Sequence, residues 1–71
     1  MKKATTRTGL YMFRCSKNLT QEKFAERIGY KRDTYAKVEN GDREPSIKFI
    51  QAVARTWGLP LSEVLELMNI K

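Results

Sequence analysis

The sequence predicts an all-α protein, a compact bundle of about five short helices that forms a single domain over residues 1–71. Apolar residues recur at helical spacing in several segments, and residues that favour helix ends separate those segments. No segment shows the alternation of a β-strand bounded by hairpin turns. A chain of 71 residues is near the lower size limit for folding without disulfides or metals, so its core must be efficient.

The first helix is expected to follow a flexible basic arm over residues 1–8, which show no apolar periodicity. Leu10 and Phe13 begin the helical spacing of this helix. Asn18 is expected to close it, because asparagine tolerates the left-handed conformation that often follows a helix. Cys15, on the same helix, is expected to be a small buried hydrophobic residue.

The second and third helices are expected to be joined by a glycine turn. Thr20 is a good N-cap for the second helix, and Gly29 is expected to end it. The third helix is expected over about Lys31–Glu39 and closes on the turn residues Asn40-Gly41. The inward-facing residues of the two helices are expected to be Phe24, Ala25, Ile28, Tyr35 and Val38.

A fourth helix is expected to begin after Pro45-Ser46 and to end at Gly58. A fifth is expected to begin at Pro60 or Ser62. The apolar positions of the fourth helix follow helical spacing well, and they are Ile47, Ile50, Val53, Ala54 and Trp57.

The composition argues against several classes of protein. The chain has one cysteine and no histidine, so neither a disulfide framework nor a zinc site is expected. No apolar run approaches the roughly 20 residues of a membrane span, and the N-terminus lacks the apolar region of a signal peptide. We therefore expect a cytoplasmic protein with no metal, no cofactor and no membrane association. With no second domain, no small-molecule ligand is expected either.

The net charge of +6 is unevenly distributed. Residues 1–18 carry five basic and no acidic side chains, residues 19–45 are balanced, and residues 46–71 have a net charge of +1. A positive N-terminal segment suits phosphate binding, because neutralising phosphates releases condensed counterions. The alternative is a solvated tail that only aids solubility.

The spacing of residues along most of the chain resembles that of a known family. The residues that carry the resemblance are Leu10-x-x-Phe13-Arg14, Thr20-Gln21-Glu22, Phe24-Ala25, Gly29, Val38-Glu39-Asn40-Gly41, Pro45-Ser46 and Trp57-Gly58-Leu59-x-Leu61. Over about residues 8–68 their joint spacing is similar to that of lambda-repressor-like (Cro/repressor, Xre-type) helix-turn-helix domains. The resemblance implies a lambda-repressor-like fold in which helices two and three form the helix-turn-helix. It also implies a transcriptional regulator that binds double-stranded DNA in a sequence-specific way. Among such regulators, a small repressor is favoured.

In such a domain helix three enters the major groove, and its N-terminal residues contact base edges. The expected base contacts are Lys31, Arg32, Asp33 and Lys37. Arg32 and Lys37 are the natural readers of guanine, whose O6 and N7 both accept hydrogen bonds. Phosphate contacts fix orientation rather than sequence preference. Those expected here are Gln21, Thr34, Asn40 and Arg43.

Asp33 needs an explanation of its own, because phosphates repel a carboxylate. It could accept a hydrogen bond from cytosine N4. It could instead hold Arg32 in one rotamer by an ion pair, or complement the dipole of its helix. The last two explanations are favoured over direct base readout.

The resemblance also implies a structural ion pair between Arg14 and Glu39, which would join helix one to the end of helix three. The alternative for Arg14 is a phosphate contact at the surface. Tyr30 and Tyr35 stand where the family usually has aliphatic residues, so their rings are expected in the core. Their hydroxyls are expected to reach outward to phosphate or backbone.

The fifth helix carries more apolar surface than one face of so small a domain can bury, and such a patch usually marks a partner surface. We expect a homodimer formed through this helix and Trp57. The expected interface residues are Trp57, Leu61, Leu65, Leu67, Met68 and Ile70. A symmetric dimer would bind a two-fold operator with half-sites roughly 34–36 Å apart.

The alternative function is a protein-interaction module, such as an antitoxin or an accessory subunit that uses the same fold to hold a partner. The apolar C-terminal helix supports that alternative equally. An enzyme is not expected, because the sequence offers no histidine, no metal cluster and no nucleophile–base pair.

Overall fold

The computed structural model of the chain describes residues 7–68. They form the helices α1 (Thr8–Ser16), α2 (Gln21–Ile28), α3 (Arg32–Glu39), α4 (Ile47–Trp57) and α5 (Leu61–Leu67). Since these residues include no strand, the prediction of an all-α fold with five short helices is confirmed. α2 packs on α3 and α4, α1 packs on α3 and α5, and α4 lies beside α5. None of the five helices is long and apolar enough to cross a membrane.

The ends of α2 and α4 have the predicted caps. The side-chain hydroxyls of Thr20 and Ser46 each accept a hydrogen bond at 3.1 Å from the backbone N–H three residues later. At the other ends, Gly29 and Gly58 adopt the left-handed conformation, with φ values of 80° and 65°. Asn18 takes a φ of 58°, as expected of the residue that closes the first helical segment, although α1 itself ends at Ser16.

The core is built around a series of aromatic rings from different helices. The ring of Phe24 lies 4.6 Å from that of Trp57 and 4.8 Å from that of Tyr35, and Tyr35 stacks in turn on Phe49. Each large side chain buried in this way contributes roughly 1.5–3 kcal/mol. The buried apolar residues are Leu10, Phe24, Ala25, Ile28, Tyr35, Val38, Phe49, Ile50, Ala52, Val53, Ala54, Val64 and Met68.

Two apolar residues that were expected in the core lie at the surface. Ile47 is 72% exposed, because the buried stripe of α4 is centred on Val53 and takes in Phe49, which leaves Ile47 at its margin. Cys15 is also exposed, because α1 turns Leu10 inward and Cys15 lies on the opposite side. Helical spacing predicted both helices, but Ile47 lies outside the buried stripe of α4, and the expected burial of Cys15 is wrong.

The boundary of the expected arm, residues 1–8, is also wrong. α1 begins at Thr8, and Arg7 is buried, with its backbone N–H donating to the carbonyl of Glu39 at 2.8 Å. The chain is therefore fixed to the core from Arg7 onward. Arg7 is held by hydrogen bonds to backbone carbonyls, which apolar periodicity in the sequence cannot reveal. Residues 1–6 of the expected arm lie outside the described residues.

α1 and α5 approach each other closely at Gly9. A Cβ atom on Gly9 would lie 2.7 Å from the carbonyl oxygen of Leu67 and 3.1 Å from its Cα. Both of these are backbone atoms, so no rotation of a side chain can relieve the contact. Glycine is therefore needed here for close packing.

We expect Gly9→Ala to destabilise the protein by about 1–3 kcal/mol, the usual cost of overpacking a close contact. The loss should appear even though alanine favours a helix interior over glycine by up to about 1 kcal/mol. Urea unfolding followed by circular dichroism measures it. Arg55→Ala, at an exposed position of α4, is the control and should change stability by less than about 0.5 kcal/mol. A Gly9→Ala protein more stable than its parent would contradict the close-packing argument.

Candidate nucleic-acid interface

The connection between α2 and α3 is short and held by the backbone. After the left-handed Gly29, the N–H of Tyr30 donates to the carbonyl of Ala25 at 2.9 Å. The ring of Tyr30 packs on Phe49 with 5.0 Å between centroids, so this ring lies against the core as expected. Lys31 then takes an extended conformation from which α3 starts. The turn therefore sets a fixed direction for α3.

α3 has one buried and one exposed face. Tyr35, Val38 and Glu39 are buried on the inner face. The exposed residues on and next to the helix are Lys31, Arg32, Asp33, Lys37 and Asn40. Thr34 and Ala36 are half-buried and lie at the two margins between these faces. The four residues expected to contact bases therefore all lie on one surface, which we call the reading face: Lys31, Arg32, Asp33 and Lys37.

The position of Asp33 fits the ion pair considered from the sequence. Its Oδ1 lies 3.4 Å from Nη1 of Arg32. The two side chains are 86% and 60% exposed, so the pair adds little to stability and is easily exchanged for other partners. Lys37 lies one turn further along the same face. Asp33 can therefore orient Arg32 without fixing it.

The residues expected to contact phosphates lie at the two ends of the helix pair. Asn40 and Arg43 are exposed in the turn after α3, where the N–H of Arg43 donates to the carbonyl of Lys37 at 3.2 Å. Thr34 is half-buried at the margin of the reading face. Gln21 differs, because its side-chain amide donates inward to Glu39 at 3.1 Å. What α2 can offer an anion at this end is chiefly its N-terminal N–H groups.

The carboxylate of Glu39, which is 3% exposed, forms the centre of a buried polar network. Its Oε1 accepts from Nε of Arg14 at 2.8 Å and from the hydroxyl of Tyr35 at 2.6 Å. Its Oε2 accepts from Nη2 of Arg14 and from the amide of Gln21, both at 3.1 Å. Arg14 also donates to the carbonyl of Leu19 at 2.8 Å. The expected Arg14–Glu39 pair is therefore present as a two-bond contact between α1 and α3, and Gln21 adds α2 to the network.

The network shifts the acidities of its members. Burial alone would raise the pKa of Glu39, but the hydrogen bonds from Arg14, Tyr35 and Gln21 outweigh burial and leave that pKa below its usual value. Burial, followed by the hydrogen bond to Glu39, raises the pKa of Tyr35 well above its usual value. The hydrogen bond to Glu39 likewise raises the pKa of Arg14. At neutral pH the network therefore holds one carboxylate, one guanidinium and a neutral phenol.

Two residues of the site have roles that the sequence did not predict. The hydroxyl of Tyr35 reaches Glu39 and not a phosphate, because the residue is fully buried. Arg7 lies beside the turn after α3 and donates to the carbonyl of Arg43 at 3.1 Å.

The apolar surface expected to form a dimer is only partly present. Met68 is fully buried in the protomer core, so its expected interface role is wrong. Trp57 is half-buried with its ring stacked on Phe24, and its interface role stays a prediction. Leu67 is half-buried, and Ile70 lies outside the described residues. Met68 is the residue that directly follows α5, and its side chain is buried in the core. What remains exposed is an apolar groove between α4 and α5, lined by Ile47, Ile50, Gln51, Leu61 and Leu65.

Comparison with known proteins matches residues 10–64 to the family model described as "Helix-turn-helix". The chain is 34% identical over 58 residues to an uncharacterized HTH-type transcriptional regulator of Archaeoglobus fulgidus, covering 82% of each chain. It is 33% identical over 55 residues to such a regulator of Methanocaldococcus jannaschii, covering 78% of this chain and 83% of the relative. It is 31% identical over 52 residues to the cryptic phage CTXphi transcriptional repressor RstR of Vibrio cholerae, covering 73% and 47%.

We expect the stability conferred by Glu39 to depend on pH in one direction. Because its folded-state pKa lies below the unfolded value of about 4.3, the stabilisation is present above that pH and is lost as the pH falls through the folded value. Glu39→Gln should cost about 3 kcal/mol at pH 7, since it removes one charge of a buried pair. The difference from the parent should shrink on acidification.

Urea unfolding at several values between pH 7 and pH 3 measures this difference. Glu66→Gln, at an exposed position of α5, is the control and should follow the parent at every pH. A constant difference between Glu39→Gln and the parent across this range would show that ionisation of Glu39 does not stabilise the fold.

Proposed function

The chain belongs to the lambda-repressor-like helix-turn-helix family of DNA-binding transcription regulators, and from this premise we propose that it is a small dimeric repressor. In this proposal α3 lies in the major groove of a two-fold DNA site. The supporting observation is the contrast between the two faces of α3. Tyr35, Val38 and Glu39 hold the inner face in the core, whereas the reading face is free for contact. Such a regulator would act in the cytoplasm, where it meets the DNA.

Base recognition is assigned to the reading face. Arg32, in the first turn of α3, donates to O6 and N7 of a guanine, and Lys37 and Lys31 donate to further acceptors on the same edge. Oδ1 of Asp33 lies 3.4 Å from Nη1 of Arg32 and orients the guanidinium until a base takes the place of the carboxylate. Where Asp33 itself reaches the base edges, the cytosine N4 amino group is the donor that it suits.

Phosphate contacts are assigned to both ends of the helix pair. The N-terminus of α2, next to Gln21, attracts one phosphate through its free N–H groups and the helix dipole. Asn40 and Arg43 contact another from the turn after α3, and Thr34 contacts the strand from the margin of the reading face. These contacts set the orientation of α3, because phosphates carry no sequence information of their own.

Dimerisation is assigned to the groove between α4 and α5. Ile47 and Leu61 are 72% and 50% exposed there, and with Leu65 they form a continuous apolar surface. Two copies related by a two-fold axis would bury this surface twice, since each copy uses the same patch. Leu67, also expected at the interface, is half-buried and does not line this groove.

The second candidate function is a protein-interaction module, in which the same groove holds an unlike protein, as in an antitoxin or accessory subunit. Selection of bound duplexes from genomic fragments, followed by titration at several salt concentrations, separates the two. A repressor should enrich one two-fold site and lose affinity steeply with salt. Equal affinity for all duplexes would contradict sequence-specific regulation and favour the interaction module.

We expect Arg32→Ala and Arg43→Ala to weaken binding in different ways. Arg32→Ala should relax the preference at one base pair per half-site, at about 1–3 kcal/mol of discrimination. Arg43→Ala should weaken all sequences alike and make the salt dependence shallower by about 0.9 in slope for each phosphate that is no longer neutralised. Arg55→Ala, which removes the same charge from an exposed site on α4, is the control. Unchanged base preference in Arg32→Ala would refute its assignment.

We expect Leu61→Glu to convert the dimer to a monomer. Each protomer loses about 1.5 kcal/mol of apolar burial, and the two-fold axis doubles the loss, so dimerisation should weaken about 100-fold or more. Because Leu61 is half-exposed in the protomer, the fold should tolerate the change. Met12→Glu, at a 62% exposed site on α1, is the control and should stay dimeric in sedimentation. A parent protein that sediments as a monomer at micromolar concentration would refute the interface.

A further inference from the structure

We propose that Arg7 is a positioning residue for DNA binding, which fixes the turn over residues 40–46 so that Arg43 is presented to the phosphate backbone in one place. The inference rests on the proposed function, in which Arg43 contacts phosphate. Arg7 itself is not expected to touch DNA, because its side chain is only 11% exposed.

The contacts of Arg7 join three places in the fold: the end of α3, the turn after it and the end of α5. Its backbone N–H donates to the carbonyl of Glu39, at the end of α3, at 2.8 Å. Its Nη1 donates to the carbonyl of Met68, just after α5, at 3.2 Å. Its Nη2 donates to the carbonyl of Arg43 at 3.1 Å and lies 3.5 Å from Oε1 of Glu44. The side chain of Arg7 therefore ties the turn after α3 to the end of α5, while its backbone is bonded to the end of α3.

A gain in the stability of the fold does not by itself explain why the Arg7 guanidinium is buried here. A guanidinium removed from water is costly unless its charge and all its donors are compensated. The carboxylate nearest to it, that of Glu44, is 87% exposed and therefore compensates weakly. Within residues 7–68 the Nε of Arg7 has no hydrogen-bond partner. The clear gain is geometric, since a planar guanidinium with several donors can hold two carbonyls in a fixed relation.

The residue so held is Arg43. The N–H of Arg43 donates to the carbonyl of Lys37 at 3.2 Å, and its own carbonyl accepts from Arg7 at 3.1 Å. Its backbone is thus fixed on one side by α3 and on the other by Arg7. An exposed side chain that starts from a fixed backbone loses less freedom on binding than one on a mobile loop. Removal of the Arg7 guanidinium should therefore release the turn without exposing the core.

The first experiment measures the turn in the free protein. Backbone NMR order parameters are compared between the parent and Arg7→Met, which keeps an unbranched apolar side chain in place of the guanidinium. The order parameters of residues 41–44 should fall from about 0.85 to below about 0.6, and those of α2 should not change. Val53→Ala, which weakens the core within α4, is the control for general destabilisation and should leave residues 41–44 ordered.

The second experiment measures the salt dependence of binding to the selected duplex. Arg43→Ala should make the slope shallower by about 0.9 for each phosphate that is no longer neutralised. Arg7→Met should also make the slope shallower, by no more than Arg43→Ala does. The slope of the double variant should differ little from that of Arg43→Ala alone. Slopes that change additively would mean that Arg7 contacts phosphate independently, which would overturn its role as a positioning residue.

An ordered turn in Arg7→Met overturns the inference whether or not DNA is bound. If Arg7→Met does not fold, Arg7→Lys is used in both experiments, because its single nitrogen cannot hold both carbonyls in the same geometry. A parent protein that prefers no two-fold duplex refutes the proposed function. The order parameters then decide separately whether Arg7 fixes the turn.

Discussion

The arrangement of the helices depends on one buried carboxylate, that of Glu39. α3 has eight residues, too few to be stable alone, and its outer face is polar and cannot be buried. The contacts of its inner face must therefore hold α3 in place. On that face Arg14 from α1 and Gln21 from α2 donate hydrogen bonds of 3.1 Å or less to the carboxylate. Apolar contacts supply most of the stabilisation but have little directional preference. The directional hydrogen bonds to Glu39 fix how α3 is rotated, and hence which side chains are exposed.

This network also changes how the charge of the helix-turn-helix segment should be counted. Residues 19–45 carry equal numbers of basic and acidic side chains, a balance that by itself would not attract DNA. One of the acids, Glu39, is buried in a pair with Arg14, which lies outside the segment. The segment's own basic side chains therefore outnumber the acids still free to repel phosphate. A charge balance along the sequence cannot reveal this, because the pairing is made across the fold.

The helices, their caps and the inward stripe of α2 and α3 could be predicted from local sequence, since helical spacing and capping act over a few residues. The Arg14–Glu39 pair followed only from the resemblance. The misplaced residues were those whose position depends on a distant element. Met68 is buried by the close approach of α1 to α5, and Arg7 is held by carbonyls up to 61 residues away. The phosphate and base contacts of individual side chains stay predictions.

The groove between α4 and α5 and the reading face of α3 lie on helices that share one core, and this limits how the proposed dimer could bind DNA. The proposed dimer would need each α3 roughly 17 Å from the two-fold axis, half the spacing of one DNA turn, and a protein of 37 × 25 × 21 Å is large enough to span that distance. Ile47 connects the two surfaces, because it begins α4 directly after the turn that carries Arg43. A change in how two copies meet at the groove would therefore shift both reading helices and their phosphate contacts together. In the proposed dimer, the geometry at the groove would therefore set the spacing of the two half-sites.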